Sequence, residues 1–114
     1  MVTSRERVTL ALAHKEPDRV PVDLGASSVT GMHVSVVYRL LQALNLDASG
    51  TPVKVVEPYQ MLGEIAPDLM EALGIDVVGL SAPKTMFGFR NEGWKPWTTF
   101  DGTPVLVPEG FNTD

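Results

Sequence analysis

The side chains able to bind or react sit beside short apolar runs. Asp23 stands inside Val20-Pro21-Val22-Asp23-Leu24, where a carboxylate needs a partner. It could act as a general base, accept a hydrogen bond from a substrate, cap the following loop or pair with an arginine. Ser27, Ser28 and Thr30 lie ahead of an apolar helical pattern, so they are expected to cap that helix. The same N–H groups could instead hold an anion. His33 opens the helix; no second His or Cys stands at ligand spacing, so a metal role is not expected. Glu57 and Gln60 flank the end of Val53-Lys54-Val55-Val56, a position from which loop residues contact ligands.

These residues need elements to position them. The Thr3–Glu6 spacing is that of a capping box, and Val8, Ala11 and Leu12 form an apolar stripe on a helix ending near Lys15. Pro17 disfavours helix at Glu16, and His14 should complement the helix end. Strands are expected at Val20–Leu24, Val53–Val56 and Ile75–Leu80. A helix over Met32–Leu44 faces inward with Val34, Val37, Leu41 and Leu44, with Tyr38 beside them. Asp47–Pro52 is a linker. Tyr59–Ile65 reads as helical, and Pro67 starts a further helix that Gly74 closes. Val-rich strands between helices suggest a parallel sheet covered on both faces. Near the C-terminus, Trp97–Phe100, Asp101-Gly102 and Thr103–Val107 predict a hairpin at about 97–107 with a two-residue turn. Pro104 suggests an exposed edge strand. Trp94 and Trp97 are expected to pack on that hairpin, and Met61, Met70 and Met86 to fill the core.

Composition excludes whole classes of function. With 114 residues the chain makes one domain, 1–114. A net charge of −5 with scattered Lys and Arg argues against nucleic acid and against anionic membrane surfaces. The absence of cysteine removes disulfides and thiolate metal sites. A charged N-terminus without an apolar segment leads to the expectation of a cytoplasmic protein.

Taken together, Thr3-Ser4-Arg5-Glu6-Arg7-Val8, Ala11 through Val22, Leu73-Gly74-Ile75-Asp76-Val77-Val78, Trp94-Lys95-Pro96-Trp97 and Asp101-Gly102-Thr103-Pro104 resemble the uroporphyrinogen decarboxylase-like superfamily. The resemblance covers essentially the whole chain and the N-terminal part of the family's length. It implies α/β architecture as the N-terminal part of a (β/α)8 barrel, a fold that takes about 250 residues when complete. It also implies an enzyme whose 114-residue opening is inactive alone. One branch of the family decarboxylates uroporphyrinogen in porphyrin synthesis. Another transfers methyl groups to or from corrinoid proteins or thiols, often with zinc.

The decarboxylase branch carries paired arginines after its first strand, to neutralise substrate carboxylates. Here Leu24-Gly25-Ala26-Ser27-Ser28-Val29-Thr30 holds none. The branch's aspartate after the third strand is likewise missing from Leu80-Ser81-Ala82-Pro83. The resemblance therefore points to methyl transfer on a small molecule or corrinoid protein, with decarboxylation or a homo-oligomeric assembly module as alternatives. It places no cofactor within this chain, since zinc ligands or a corrinoid would involve residues beyond position 114. By the barrel rule, reacting residues lie at C-terminal strand ends. That rule nominates Asp23 as catalytic. Ser27, Ser28, His33, Glu57, Gln60 and Ser81 are the expected substrate contacts.

Overall fold

The computed structural model describes residues 2–114. Helix α1 spans Ser4–Leu12, and the Thr3 hydroxyl accepts the Glu6 N–H at 3.1 Å, as the capping spacing requires. The helix ends before Lys15, with His14 in the left-handed region at φ 58°. Its inward side chain is not the expected apolar stripe. Arg7 is 7% exposed, whereas Leu12 is 77% exposed.

Arg7 grips Asp18 through two N–H···O bonds of 2.7 and 2.9 Å and reaches Asp76 at 2.5 Å. Arg19 holds the other Asp76 oxygen at 2.9 Å. Ser4 Oγ and the Val22 N–H complete the shell around this fully buried carboxylate. A charge this deep persists only when every acceptor site is filled, and here each oxygen has several donors.

This arrangement corrects two expected strands. Val20–Leu24 and Ile75–Leu80 run side by side, yet neither joins a ladder. Pro21 has no N–H, and Val22 gives its N–H to the Asp76 carboxylate at 2.9 Å. Among the described residues, the one backbone bond between the two segments is Asp76 N–H to Val22 O at 2.8 Å.

Helix α2 spans Val34–Ala43 and is capped by His33, not by the upstream hydroxyls. Strand β1 covers Val53–Glu57, as the Val-rich run predicts, with one residue added. The helix expected over Tyr59–Ile65 is absent. Glu57 accepts the N–H groups of Tyr59 and Gln60, Met61 takes φ 57°, and the chain reverses into β2, Leu62–Gly63. Helix α3, Pro67–Leu73, starts on proline and closes on Gly74 at φ 66°, as expected.

The hairpin forms from β3, Lys95–Thr98, and β4, Pro104–Val107. Its loop differs from the expected two-residue turn. Gly102 N–H bonds Thr99 O, Thr99 N–H bonds Thr103 O, and Gly102 has φ 86°. That is a three-residue loop with the glycine supplying the left-handed position. The strand order is β2-β1-β4-β3, so β4 is interior, and Pro104 is tolerated because it begins the strand.

The sheet therefore corrects the barrel expectation. A barrel opening would make successive strands parallel neighbours; here β1 is antiparallel to β2, β4 is antiparallel to β3, and only β1 and β4 run parallel. The described residues form a small α/β domain with a four-stranded mixed sheet and three helices. One sheet face is covered, not two. Val53 and Val55 alternate with more exposed neighbours, as do Val105 and Val107. These valines pack on Val34, Val37 and Leu41 of α2 and on Leu69 of α3. Leu44, expected on that face, is 41% exposed. The molecule is 19 Å across its shortest dimension, which holds a helix layer on a sheet but no third layer. Trp97 packs against the core and against Phe111 at 5.3 Å between ring centroids.

Candidate functional site

A cleft of about 550 Å³ opens at the C-terminal end of β1. The strand itself prepares it. Register with β2 slips between Val55 and Glu57, so β1 carries an extra residue there. Such a bulge re-aims side chains, and here consecutive residues Val56 and Glu57 both line the cleft.

Four stretches of the chain supply the walls. Ser27 and Ser28 come from the turn after Leu24, Glu57 and Gln60 from the β1 end, and Ser81 from the segment after Val78. The Ser27–Thr30 turn is self-supporting rather than a helix cap. Thr30 Oγ1 accepts the Ser27 N–H at 3.1 Å, and Ser27 Oγ accepts the Val29 N–H at 3.3 Å. Gln60 Nε2 donates to Ser28 O at 3.0 Å, tying two walls together. Both Glu57 oxygens accept backbone N–H groups, at 3.1 Å from Tyr59 and 2.7 Å from Gln60. The carboxylate thus shapes the β1–β2 turn and retains lone pairs towards the cleft.

Asp23 and His33 lie elsewhere. Asp23 Oδ1 accepts the Ala26 N–H at 3.2 Å on an exposed loop and is not a lining residue. His33 Nδ1 accepts the Ser35 N–H at 3.1 Å as the α2 cap, and the residue bridges Leu62.

The fourth stretch brings residues that sequence reasoning did not nominate. Lys84, Met86 and Asn91 belong to a loop with no periodicity, and no local signal singled them out. Met86, expected in the core, is 69% exposed at the cleft. Asn91 Nδ2 donates to Val56 O at 3.4 Å, while no donor among the described residues reaches its buried Oδ1. Tyr59 also lines the cleft and packs on Phe87 at 6.3 Å.

The strongly stabilised charges are away from the cleft. The Val22 N–H, then Ser4, Arg7 and Arg19, hold Asp76 well below the ordinary carboxylate range against the opposing effect of burial. Arg7 likewise lowers Asp18, and that hydrogen bond raises Arg7 in turn. The Thr99 hydroxyl, with Ser35 and Thr103, lowers Asp101 and fastens the hairpin loop to α2. These shifts describe anchoring, not a poised acid–base pair.

Zinc does not fit the cleft. Its one carboxylate already turns the backbone, the chain has no cysteine, and no group of three or more metal-binding side chains occurs among the described residues. No helix among those residues is long and apolar enough to cross a membrane. In comparisons with known proteins, the chain matches no family model, no curated protein and no solved structure.

Proposed function

We propose that the cleft binds a small-molecule substrate for methyl transfer, the activity that the resemblance in sequence to the uroporphyrinogen decarboxylase-like superfamily implies, carried on a small mixed α/β sheet rather than on a barrel. The observation that carries this reading is the composition of the cleft wall. Serine hydroxyls, the Gln60 and Asn91 amides, one glutamate and one lysine stand beside Val56, Leu80 and Met86, with no arginine among the lining residues. A porphyrinogen bearing many carboxylates needs several bidentate cations. A methylated small molecule needs apolar contact and a few orienting hydrogen bonds, which this wall supplies.

In such a reaction the residues of this chain hold and orient. Displacement at a methyl carbon gains from holding donor and acceptor in line. Gln60 fixes the spacing of the walls, Glu57 holds the turn, and the apolar side chains exclude water from the methyl group. No step is assigned to Asp23, which does not line the cleft. We place this activity in the cytoplasm, with a methylated corrinoid as the donor and a thiol as the acceptor.

The test is a nitrogen-15 NMR titration of the chain with methylcobalamin and, separately, with uroporphyrin. Saturable shifts at the Ser28, Gln60 and Ser81 amides are expected with the first and not with the second. Transfer of a labelled methyl group to an added thiol is the activity readout. Shifts with uroporphyrin alone turn the assignment to the decarboxylase branch.

A further inference from the structure

We infer that the short hairpin over residues 84–90 is a lid, which rocks across the mouth of the cleft and brings Met86 and Phe87 against Val29 on the opposite wall. This rests on the reading of the cleft as a binding site and adds how that site is closed to water.

The order of the walls around the cleft places these residues. Gln60 Nε2 donates to Ser28 O, which joins the end of β1 to the Ser27–Thr30 turn. On its other side the β1 end meets the hairpin, through Tyr59 against Phe87 at 6.3 Å and Asn91 Nδ2 to Val56 O at 3.4 Å. Pro83 connects the hairpin to Leu80–Ala82. That stretch returns to the turn, since a Cβ on Gly79 would lie 2.2 Å from Ala26 O. The ring is then complete, and the hairpin and the Ser27–Val29 turn face each other across it.

Both facing lips hold large apolar side chains in water. Met86 is 69%, Phe87 58% and Val29 89% exposed. Scattered exposed residues are ordinary, but these stand on two sides of one opening, and bringing them together removes apolar surface from water. The hairpin is built to move as a unit. Thr85 N–H bonds Phe89 O at 2.8 Å, Gly88 N–H bonds Thr85 O at 3.0 Å, and Lys84 bridges Arg90. Its attachment is slight by contrast. Among the described residues, no backbone hydrogen bond runs from residues 84–90 to another part of the chain. The Asn91–Val56 bond at the root is long and so weak. Phe89 is the pivot, because a Cβ on Gly110 would lie 2.5 Å from that of Phe89. A closed lid excludes water from a bound substrate, and an open one admits it.

The chain has no cysteine, so a pair can be introduced alone. In Val29→Cys/Met86→Cys both sites lie at the surface, which spares the fold. A disulfide needs Cα atoms within about 7 Å, so this one forms when the hairpin crosses the mouth. Oxidised glutathione is expected to close it at least about tenfold faster than the pair in Val29→Cys/Phe100→Cys, whose second site is on the β3–β4 loop. Once it is closed, a soluble gadolinium chelate should broaden the Gln60 and Ser81 amides less than in the reduced protein. A nuclear Overhauser contact between the Met86 and Val29 methyl groups of the unaltered chain checks the motion without cysteines. Equal oxidation rates in the two variants, or a Met86 methyl that never meets Val29, remove the lid. The cleft reading survives that result if methylcobalamin still shifts the Ser28, Gln60 and Ser81 amides. If the hairpin closes but methylcobalamin shifts none of them, the cleft reading falls, and the lid over a binding site falls with it.

Discussion

At the residue scale, a single carboxylate ties together three stretches of backbone that are distant in sequence. Asp76 joins α1, the 18–22 segment and the 75–80 segment through Ser4, Arg7, Arg19 and the Val22 N–H. Its depressed acidity has a definite consequence. An unfolded aspartate titrates near pH ~3.9, and the folded group titrates lower. Between those values the unfolded state binds more protons, so stability is complete above the unfolded value and is lost as the pH falls towards the folded one. Asp76→Asn is expected to lower the urea midpoint at pH 7 and to flatten its decline between pH 5 and pH 3, both ranges set by that reference value. Parallel pH profiles for the two proteins would falsify the role of this carboxylate. A second expectation concerns Glu57. Glu57→Gln keeps the shape but leaves one acceptor oxygen for two N–H groups, so one bond is lost and the other loses its charge, costing about 1 kcal/mol or more and loosening the Tyr59–Gln60 turn. Loss of the Gln60 contact to Ser28 O should follow, seen as line broadening at both residues.

At the scale of elements, local chemistry made part of the fold readable and distant contacts hid the rest. The Thr3 cap, the Val34–Val37–Leu41 stripe, the β1 valines, the Pro67 start and the Gly74 stop all act within a few residues. Each forms as its spacing predicts. The Val20–Leu24 and Ile75–Leu80 runs have equally good strand composition. They fail as strands because a side chain more than 50 positions away takes the Val22 donor, which no window of sequence reveals. The Tyr59–Ile65 helix fails for a nearer reason, since Met61 takes a left-handed φ and Leu62–Gly63 pair with β1 instead of continuing a helical turn. The cleft follows the same division. Ser27, Ser28, Glu57, Gln60 and Ser81 were legible as residues beside run ends, whereas Lys84 and Asn91 arrive on an aperiodic loop. The hairpin loop gives an element-scale test. Gly102 has a left-handed φ and open space where a Cβ would go. Gly102→Ala therefore meets a conformational cost alone, about 1 kcal/mol, and Gly102→Asn should recover part of it. A thermal melt of both variants checks the order. Gly79→Ala should behave differently, because its Cβ would lie 2.2 Å from Ala26 O and must part the two segments.

For the whole molecule, two kinds of cohesion meet at the cleft. The sheet, α2 and Leu69 are joined by a continuous apolar core. Helix α1 and the two extended segments are fastened largely by charge, with Arg7 as the buried residue of α1. Ion pairs weaken with acid and, where partly exposed, with salt; aliphatic contacts do not. The two parts should therefore open with different free energies. In hydrogen exchange, lowering the pH below about 4 or raising the salt should release the Arg7, Val22 and Asp76 amides early, at rates corrected for intrinsic pH dependence. Those of Val55, Val105 and Val107 should hold until global unfolding. The cleft takes Ser81 and Leu80 from the charge-held part and Val56 and Glu57 from the core. Binding should thus weaken under the same conditions that release Asp76, before the sheet itself is lost. A single cooperative exchange step, with binding and sheet protection failing together, contradicts this division and makes the ion-pair cluster an integral part of the core.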